Sequence, residues 1–266
     1  MKKLFLLLTL TFTITTSAQY AIISAVDIKD GEDAAYLRTE EFWGPLHKQA
    51  IKDGLELNQS VWKVIQNSDQ RETPADYFII TGFSSKEQLD NYLSGSANFG
   101  EIAQKVYKGK MSKRAISRMF DSSQDSSNER RNYHLQGVSA TVFAGGDINP
   151  GDMMTMNSTI AKSEDFETWE IEVAKPLVEK AIMDGNHRWW NLARIYERTE
   201  NAYEGITHMF FNIGVEGGES FGKYFEEYGS TFKGAKLMEG LQAASDHQNF
   251  VTLELVSIKI RRSVQQ

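Results

Sequence analysis

The sequence contains no cysteine among its 266 residues. This absence excludes disulfide bonds, a lipidated amino terminus, thiolate metal sites and a cysteine nucleophile. Stability must therefore come from a buried apolar core, and a chain of this length in which 41% of the residues are hydrophobic can build one. The length is typical of one or two domains.

A hydrophobic run long enough to cross a membrane is also absent, because residues 4–14 are fewer than the ~20 that a span requires. This run follows two lysines and precedes a small-residue cleavage site, Thr16-Ser17-Ala18. The pattern is typical of a secretory signal peptide at residues 1–18. We expect cleavage near Ala18, export to the periplasm or the medium, and no membrane insertion.

Positive charge is scarce. The chain has 29 Lys and Arg residues against 36 Asp and Glu residues, a net charge of −7. Removing the two lysines of the signal peptide changes this charge to −9 (−7 − 2). An acidic protein repels phosphate backbones, so we expect no binding to nucleic acid. The expected partner is a small molecule, and the composition leaves the oligomeric state open.

The chain contains an internal repeat. Three dipeptides occur twice at identical spacing, and each copy continues with two strand-like runs and a Phe-Gly pair that opens a later helix. Matched elements in a fixed order predict the tandem duplication of one unit. The matched pairs are Pro45-Leu46, Ala50-Ile51, Asp53-Gly54 and Phe99-Gly100 in the first copy, and Pro176-Leu177, Ala181-Ile182, Asp184-Gly185 and Phe221-Gly222 in the second.

Hydrophobic periodicity predicts the order β-α-β-β-α-β in each copy. Unit one covers residues 20–146, and unit two covers residues 150–262. The polar segment 122–131 is predicted to be a loop within unit one, and the turn-rich segment 145–151 separates the units. Strands are predicted at 20–28, 57–65, 77–83, 133–143, 154–162, 188–196, 205–213 and 250–260, and helices at 32–52, 85–93, 99–120, 166–183 and 221–244.

Each such unit covers only one face of its sheet with helices, so the other face must be buried against a second sheet. Two facing sheets predict a closed or nearly closed barrel with helices outside. In element order and duplication the chain resembles the dimeric α+β-barrel superfamily, with both half-barrels fused in one polypeptide. That superfamily includes antibiotic-biosynthesis-type monooxygenases, haem-degrading oxygenases, chlorite-dismutase-like proteins and NIPSNAP-like proteins. The resemblance implies an α+β fold of tandem ferredoxin-like units that form an intramolecular pseudo-dimeric barrel.

Aromatic and polar residues concentrate on the second and third strands of unit two. Because side chains alternate along a strand, Trp190, Arg194 and Tyr196 share one face, and His208 lies on the next strand. A cavity lined by such rings and cations suits a flat or anionic ligand. The alternative is that the tryptophans only fill buried faces of the sheet. We predict that any ligand site lies in unit two and includes these four residues.

Two residues of unit one complete the candidate set. Lys63 and Arg194 are equivalent in the repeat, so a pseudo-twofold axis would bring two cations to related places, as an anion requires. Ion pairs between the units are the alternative. His47 aligns with the apolar Val178, which indicates a partly buried imidazole with one specific partner. It could be a ligand contact, including to haem, or a structural histidine.

Two common catalytic motifs, HExxH and a phosphate-binding loop, are absent from the sequence. We therefore expect no metal site, and haem is the one cofactor that the resemblance leaves open. Three functions stay open. The first is an exported, non-catalytic protein that binds an aromatic or anionic molecule. The second, implied by the resemblance, is a monooxygenase or haem-oxygenase-like enzyme, and the third is an interaction module with a solid barrel interior.

Overall fold

A computed structural model describes residues 19–65 and 75–260. The predicted signal peptide and most of the predicted loop between the second and third strands lie outside these residues. The strands are β1 (Tyr20–Ile28), β2 (Asn58–Ile65), β3 (Tyr77–Phe83), β4 (Ser127–Ala140), β5 (Met153–Ala161), β6 (His187–Arg198), β7 (His208–Gly214) and β8 (Ser245–Ile260). The helices are α1 (Asp33–Lys52), α2 (Lys86–Leu93), α3 (Phe99–Val106), α4 (Lys113–Asp121), α5 (Phe166–Trp169), α6 (Lys175–Met183), α7 (Gly222–Gly229) and α8 (Phe232–Ala243), with a π-helical turn (Glu170–Ala174) between α5 and α6.

The strands form one closed antiparallel barrel in the order β1-β3-β2-β8-β5-β7-β6-β4. The strands of unit one are contiguous in this ring, and so are those of unit two. Two strand pairs join the units: β2 with β8, and β4 with β6. This arrangement leaves neither half-sheet with a free edge, because each edge strand of one unit pairs with an edge strand of the other. The predicted α+β class and the predicted barrel are therefore confirmed.

The helices lie outside the barrel, as the apolar spacing of α1 predicts. Phe42, Leu46 and Ala50 follow one another at intervals of four residues, and all three are buried in a cluster with side chains of α3 and α4. Gly54 ends this region with a φ of +81°, a left-handed conformation that glycine adopts at little cost. Gly185 has the equivalent role after α6, with a φ of +79°. None of the described helices is long and apolar enough to span a bilayer.

Several elements differ from the sequence prediction. The helix predicted at 221–244 is divided into α7 and α8, and a π-helical turn interrupts the helix predicted at 166–183. The helix predicted at 99–120 is divided into α3 and α4, with Gly109 at a φ of +76° between them. β4 begins at Ser127, so the loop predicted at 122–131 is confined to 122–126. The first residues of β4 are polar but belong to the sheet because they pair with β1; Arg130, for example, pairs with Val26. β8 likewise begins early, at Ser245, where it pairs with Ala161 of β5.

The barrel interior is apolar and incompletely filled. Side chains from all eight strands form one core cluster, which includes Trp62, Leu135, Phe211 and Leu255. A cavity of about 310 Å³ nevertheless remains at one end of the barrel. The interior is therefore not solid at this end, and a role as an interaction module stays a prediction.

Candidate functional site

The six predicted ligand contacts do not form a single site. Arg194 and His208 meet on the outer face of the sheet of unit two, where both contact Glu167. Trp190 lies between the helices and the sheet of unit two, and Tyr196 lies where β4 pairs with β6. His47 and Lys63 lie at two separate places in unit one. Ligand binding by these residues stays a prediction.

In unit two, one carboxylate holds both polar side chains of the predicted site. Nε and Nη2 of Arg194 each donate to a different oxygen of Glu167 at 2.6 Å, and Nε2 of His208 lies 2.9 Å from Oε1. Burial alone would raise the pKa of Glu167, but the hydrogen bonds from Arg194 and His208 lower it overall. Burial lowers the pKa of His208. The Glu167 carboxylate therefore neutralises Arg194, the cation that the sequence analysis predicted to bind an anionic ligand.

Unit one contains a matching trio. Nζ of Lys63 lies 2.9 Å from Oδ1 of Asp33, and the hydroxyl of Tyr77 donates to the same oxygen at 2.6 Å. The hydrogen bond from Lys63 is the main reason that the pKa of Asp33 is lowered. Lys63 lies opposite Tyr77 in the sheet of unit one, just as Arg194 lies opposite His208 in unit two. Each cation thus pairs with an acid of its own unit, and the alternative of ion pairs between the units does not hold for these two.

The two tryptophans of β6 point to opposite sides of the sheet. Trp190 is 3% exposed and packs among helix-facing residues, including Phe166 and Phe210. Trp189 lines the barrel interior. Trp190 is therefore a core residue of unit two. Tyr196 is at the seam, with its hydroxyl buried and without a hydrogen-bond partner among the described residues, and burial raises its pKa to about 12.

A buried carboxyl group lies on the π-helical turn of unit two. Glu170 is 3% exposed, and the nearest cationic candidate, Nε2 of His247, is 4.0 Å from its Oε1. Burial lowers the pKa of His247, so this imidazole is neutral near pH 7. Burial also raises the pKa of Glu170 from its ordinary 4.5 to about 8. The folded protein therefore keeps a proton on Glu170 over a pH range in which the unfolded chain has lost it.

This linkage predicts that Glu170 makes the protein less stable as the pH rises from about 4.5 to about 8. Glu170→Gln removes the ionisable group, and we expect it to increase the free energy of unfolding at pH 8 by on the order of 2 kcal/mol or more. At pH 5 the effect should be small. Urea unfolding at both pH values measures it, with Glu172→Gln, an exposed position on the same turn, as the control. An equal effect of Glu170→Gln at both pH values would contradict the prediction.

A cleft of about 330 Å³ lies in unit one between the helices and the outer face of the sheet. We call it the unit-one cleft. Aromatic rings form its helical side, and polar side chains of the sheet form the opposite side. Its lining includes Glu40, Trp43 and His47 of α1, Tyr92 of α2, Phe99 of α3, Ser24 of β1, Thr81 of β3, and Arg130, Asn132 and His134 of β4.

His47 is held in this cleft by a buried carboxylate. Its Nδ1 lies 3.0 Å from both oxygens of Glu56, whose side chain is 0% exposed. A carboxylate only accepts hydrogen bonds, so this contact places a hydrogen on Nδ1, and in the neutral form of the ring that tautomer has its lone pair on Nε2. Nε2 has no hydrogen-bond partner among the described residues. The expected histidine with one specific partner is thus observed, and its second nitrogen is available to a ligand.

Arg130 is the second notable group of the cleft. Its Nε is buried and unpaired among the described residues. Two other polar side chains of the cleft have partners: the Ser24 hydroxyl donates to Oδ1 of Asn132 at 2.6 Å, and Nδ1 of His134 lies 3.1 Å from Glu197. Nε of Arg130 and Nε2 of His47 have none among the described residues, which distinguishes this cleft from the two trios.

Sequence reasoning missed Glu56 and Arg130 for different reasons. Glu56 precedes β2 and lies between Leu55 and Leu57. Its charge between two leucines was the one feature of the sequence that could have indicated a buried carboxylate. Arg130 lies in the segment that composition assigned to a loop, whereas the structure places it in β4. Within the described residues, no three His, Asp or Glu side chains converge as a metal site requires.

No protein-family model matches the chain, and no curated protein matches its sequence. Solved structures that share its fold include two that are similar over most of the chain. A candidate monooxygenase from Lactobacillus acidophilus is 11% identical, with a TM-score of 0.54 over 92% of this chain and 97% of that one. A candidate monooxygenase from Fusobacterium nucleatum is 9% identical, with a TM-score of 0.55 over 92% and 96%. The chain thus shares its α+β-barrel fold with these two structures.

Proposed function

We propose that this protein is an oxygenase-type enzyme that binds a flat, conjugated molecule in the unit-one cleft. The observation that carries this proposal is the buried His47–Glu56 pair, because His47 lines a cleft walled by aromatic rings and its Nε2 has no partner among the described residues. The fold alone does not determine function, because one fold hosts many chemistries. The proposal therefore rests on the groups in the cleft.

The His47–Glu56 pair is suited to accept a proton. Glu56 fixes the tautomer and orientation of the imidazole and stabilises the positive charge that forms when Nε2 is protonated. Removal of a proton from an acidic O–H or C–H group of the substrate gives an electron-rich anion, the form of an organic molecule that dioxygen oxidises most readily. His47 would thus act as the general base of an oxygenation.

The walls of the cleft indicate the shape and charge of the substrate. The ring centroids of Trp43 and Phe99 lie 6.0 and 5.3 Å from that of His47, so a ligand next to Nε2 meets two aromatic faces or edges. Arg130 offers a buried guanidinium N–H on the strand side. A conjugated ring system that carries a carboxylate could stack on the aromatic rings and accept a hydrogen bond from Arg130.

The same donor groups are those that haem requires, a ligand that the superfamily resemblance suggests, but a cleft of about 330 Å³ would enclose only part of the porphyrin. His47 would hold the iron through Nε2, Glu56 would increase the basicity of the imidazole through Nδ1, and Arg130 would pair with a propionate. Haem, when bound, would supply redox chemistry. This second candidate function is favoured by the free Nε2, which a purely structural histidine would not need.

The test is to titrate the protein with haemin and, separately, with 2-naphthoate. We expect binding of at least one probe, with a Soret band for haemin or tryptophan quenching for 2-naphthoate. His47→Ala should weaken haemin binding about 100-fold, and Arg130→Gln should weaken binding of 2-naphthoate about 10-fold, because a hydrogen bond to a charged group contributes about 1.5–3 kcal/mol.

His208→Ala is the matched control, because it removes a buried, glutamate-paired histidine from unit two. It should leave both titrations unchanged. Binding of 2-naphthoate without haemin supports the general-base function. The reverse result supports the haem function. If neither probe binds, or if His208→Ala reduces binding as much as His47→Ala does, the proposed function is wrong.

We also propose that the chain is exported after removal of residues 1–18 and that its two units arose by tandem duplication of a ferredoxin-like unit. The support for duplication is the equal strand order within the units, β4-β1-β3-β2 and β8-β5-β7-β6, together with the matched acid–cation trios. The support for export is the amino-terminal pattern of the sequence. Mass determination of the protein secreted by its host tests the cleavage near Ala18.

A further inference from the structure

The cavity inside the barrel is separate from the unit-one cleft, which lies outside the sheet. The barrel cavity has a volume of about 310 Å³, roughly ten times the ~30 Å³ that one water molecule occupies in the liquid. Well-packed interiors contain few voids larger than a water molecule. At its rim, Phe143 and Ile260 are 37% and 46% exposed, so the cavity adjoins solvent at this end of the barrel.

Small residues create the space. Four lining positions carry alanine or glycine: Ala21, Gly82, Gly137 and Ala193. At Gly82 the missing side chain has a specific consequence, because a Cβ there would lie 2.7 Å from Oδ1 of Asn58. The carboxamide of Asn58 can therefore lie against the bare backbone of β3, at the wall of the cavity.

The lining is aromatic and neutral. The lining includes the rings of Trp62, Trp189, Phe143 and Phe211, and none of its described side chains carries a carboxylate, imidazole, ammonium or guanidinium group. In the uncleaved chain used for the experiment below, the backbone nitrogen of Gln19 at the cavity is an amide and carries no charge. An anion or a cation would lose its hydration there without gaining a charged partner. Flat aromatic surface, in contrast, gains apolar contacts with all four rings.

Two carboxamides provide the polar contacts. Asn58 makes no side-chain hydrogen bond with any described residue, and Asn191 makes only a long one, 3.4 Å from Nδ2 to the carbonyl oxygen of Ser139. Each amide offers both a donor and an acceptor. A ligand that carries a hydroxyl or carbonyl group can therefore pair with them.

We propose that the barrel interior is a second small-molecule site, which binds a neutral molecule of about two fused aromatic rings that carries a hydroxyl or carbonyl group. The size follows from comparison with an apolar cavity of about 150 Å³, which accommodates benzene. The site is independent of the proposed function of the unit-one cleft.

The experiment titrates the full chain with 2-naphthol, naphthalene and naphthalene-2-sulfonate. The readouts are calorimetry and the fluorescence of the lining tryptophans. We expect 2-naphthol to bind at least about 10-fold more tightly than the sulfonate, whose charge has no partner in the cavity. Ala193→Leu and Ala21→Leu each fill part of the space and should weaken binding of 2-naphthol and naphthalene about 10-fold or more.

Asn191→Leu keeps the size of the side chain and removes its polar atoms. It should weaken binding of 2-naphthol but not of naphthalene. If neither Ala193→Leu nor Ala21→Leu folds, this comparison is sufficient to test the proposal. Arg130→Gln, in the unit-one cleft, should leave binding of 2-naphthol unchanged. The proposal for the barrel cavity and the proposed function of the unit-one cleft are thus tested separately. The proposal is overturned if 2-naphthol does not bind, or if folded Ala193→Leu and Asn191→Leu proteins bind it as tightly as the natural chain does.

Discussion

Gly234→Ala is expected to destabilise the protein by about 3 kcal/mol, the upper end of the usual cost of overpacking a core. Gly234 is buried in the first turn of α8. A Cβ at this position would lie 1.9 Å from the carbonyl oxygen of Tyr228 and 2.7 Å from Oγ1 of Thr231. Because the first of these atoms belongs to the backbone, α7 and α8 would have to move apart.

The same junction is fixed by hydrogen bonds, so little relaxation is available. The backbone N–H and the hydroxyl of Thr231 donate to the Tyr228 carbonyl at 3.1 and 2.9 Å, and Oγ1 of Thr231 accepts from the N–H of Gly234 at 3.0 Å. In an open helix, alanine would be about 1 kcal/mol more favourable than glycine. The steric conflict outweighs this preference and determines the sign.

Urea unfolding of Gly234→Ala and Gly229→Ala measures the effect. Gly229 ends α7, and the nearest atom to a Cβ there is Cγ of Met238 at 3.6 Å, an ordinary contact. Alanine at this control position should be neutral or stabilising by up to about 1 kcal/mol. Equal stability of the two variants would mean that the α7–α8 junction is not packed as described.

The sequence predicted local features well where their cause is local. The apolar spacing of Phe42, Leu46 and Ala50 determines which side of α1 is buried, and Gly54 ends that helix because a left-handed residue is needed there. The closed barrel followed from the need of each half of the chain to bury its second sheet face against the other half. These features depend on neighbours in sequence or on the simple need for burial.

The candidate site could not be predicted to the same extent. Alternation correctly placed Trp190 and Arg194 on one face of β6, but it does not tell which face is turned toward the barrel interior. A bulge between His187 and Trp189 also shifts the pairing of this strand with β7. The partners that decide the chemistry come from other elements: Glu167 approaches Arg194 from α5, and Glu56 approaches His47 from the loop after α1.

The largest coupling between two side chains is expected for His47 and Glu56. Their contact is buried, with the His47 side chain 11% exposed and that of Glu56 0% exposed. His47→Leu leaves the Glu56 carboxylate in the protein interior without its partner, and removing one member of a buried pair costs about 3–5 kcal/mol. Glu56→Leu leaves an unpaired imidazole N–H, at a cost of about 1–3 kcal/mol.

The double variant His47→Leu/Glu56→Leu is expected to lose much less stability than the sum of the single variants, because it leaves neither group unpaired. Urea unfolding at pH 7 of all four proteins gives the coupling energy, which should exceed about 2 kcal/mol. The matched control is the cycle for His134 and Glu197. Its Nδ1–carboxylate distance of 3.1 Å is nearly the same, but the Glu197 side chain is 60% exposed. There, solvent screening should limit the coupling to about 1 kcal/mol or less. If both cycles give the same coupling, burial does not hold His47 in place, and the fixed orientation of its Nε2 in the unit-one cleft loses its physical basis.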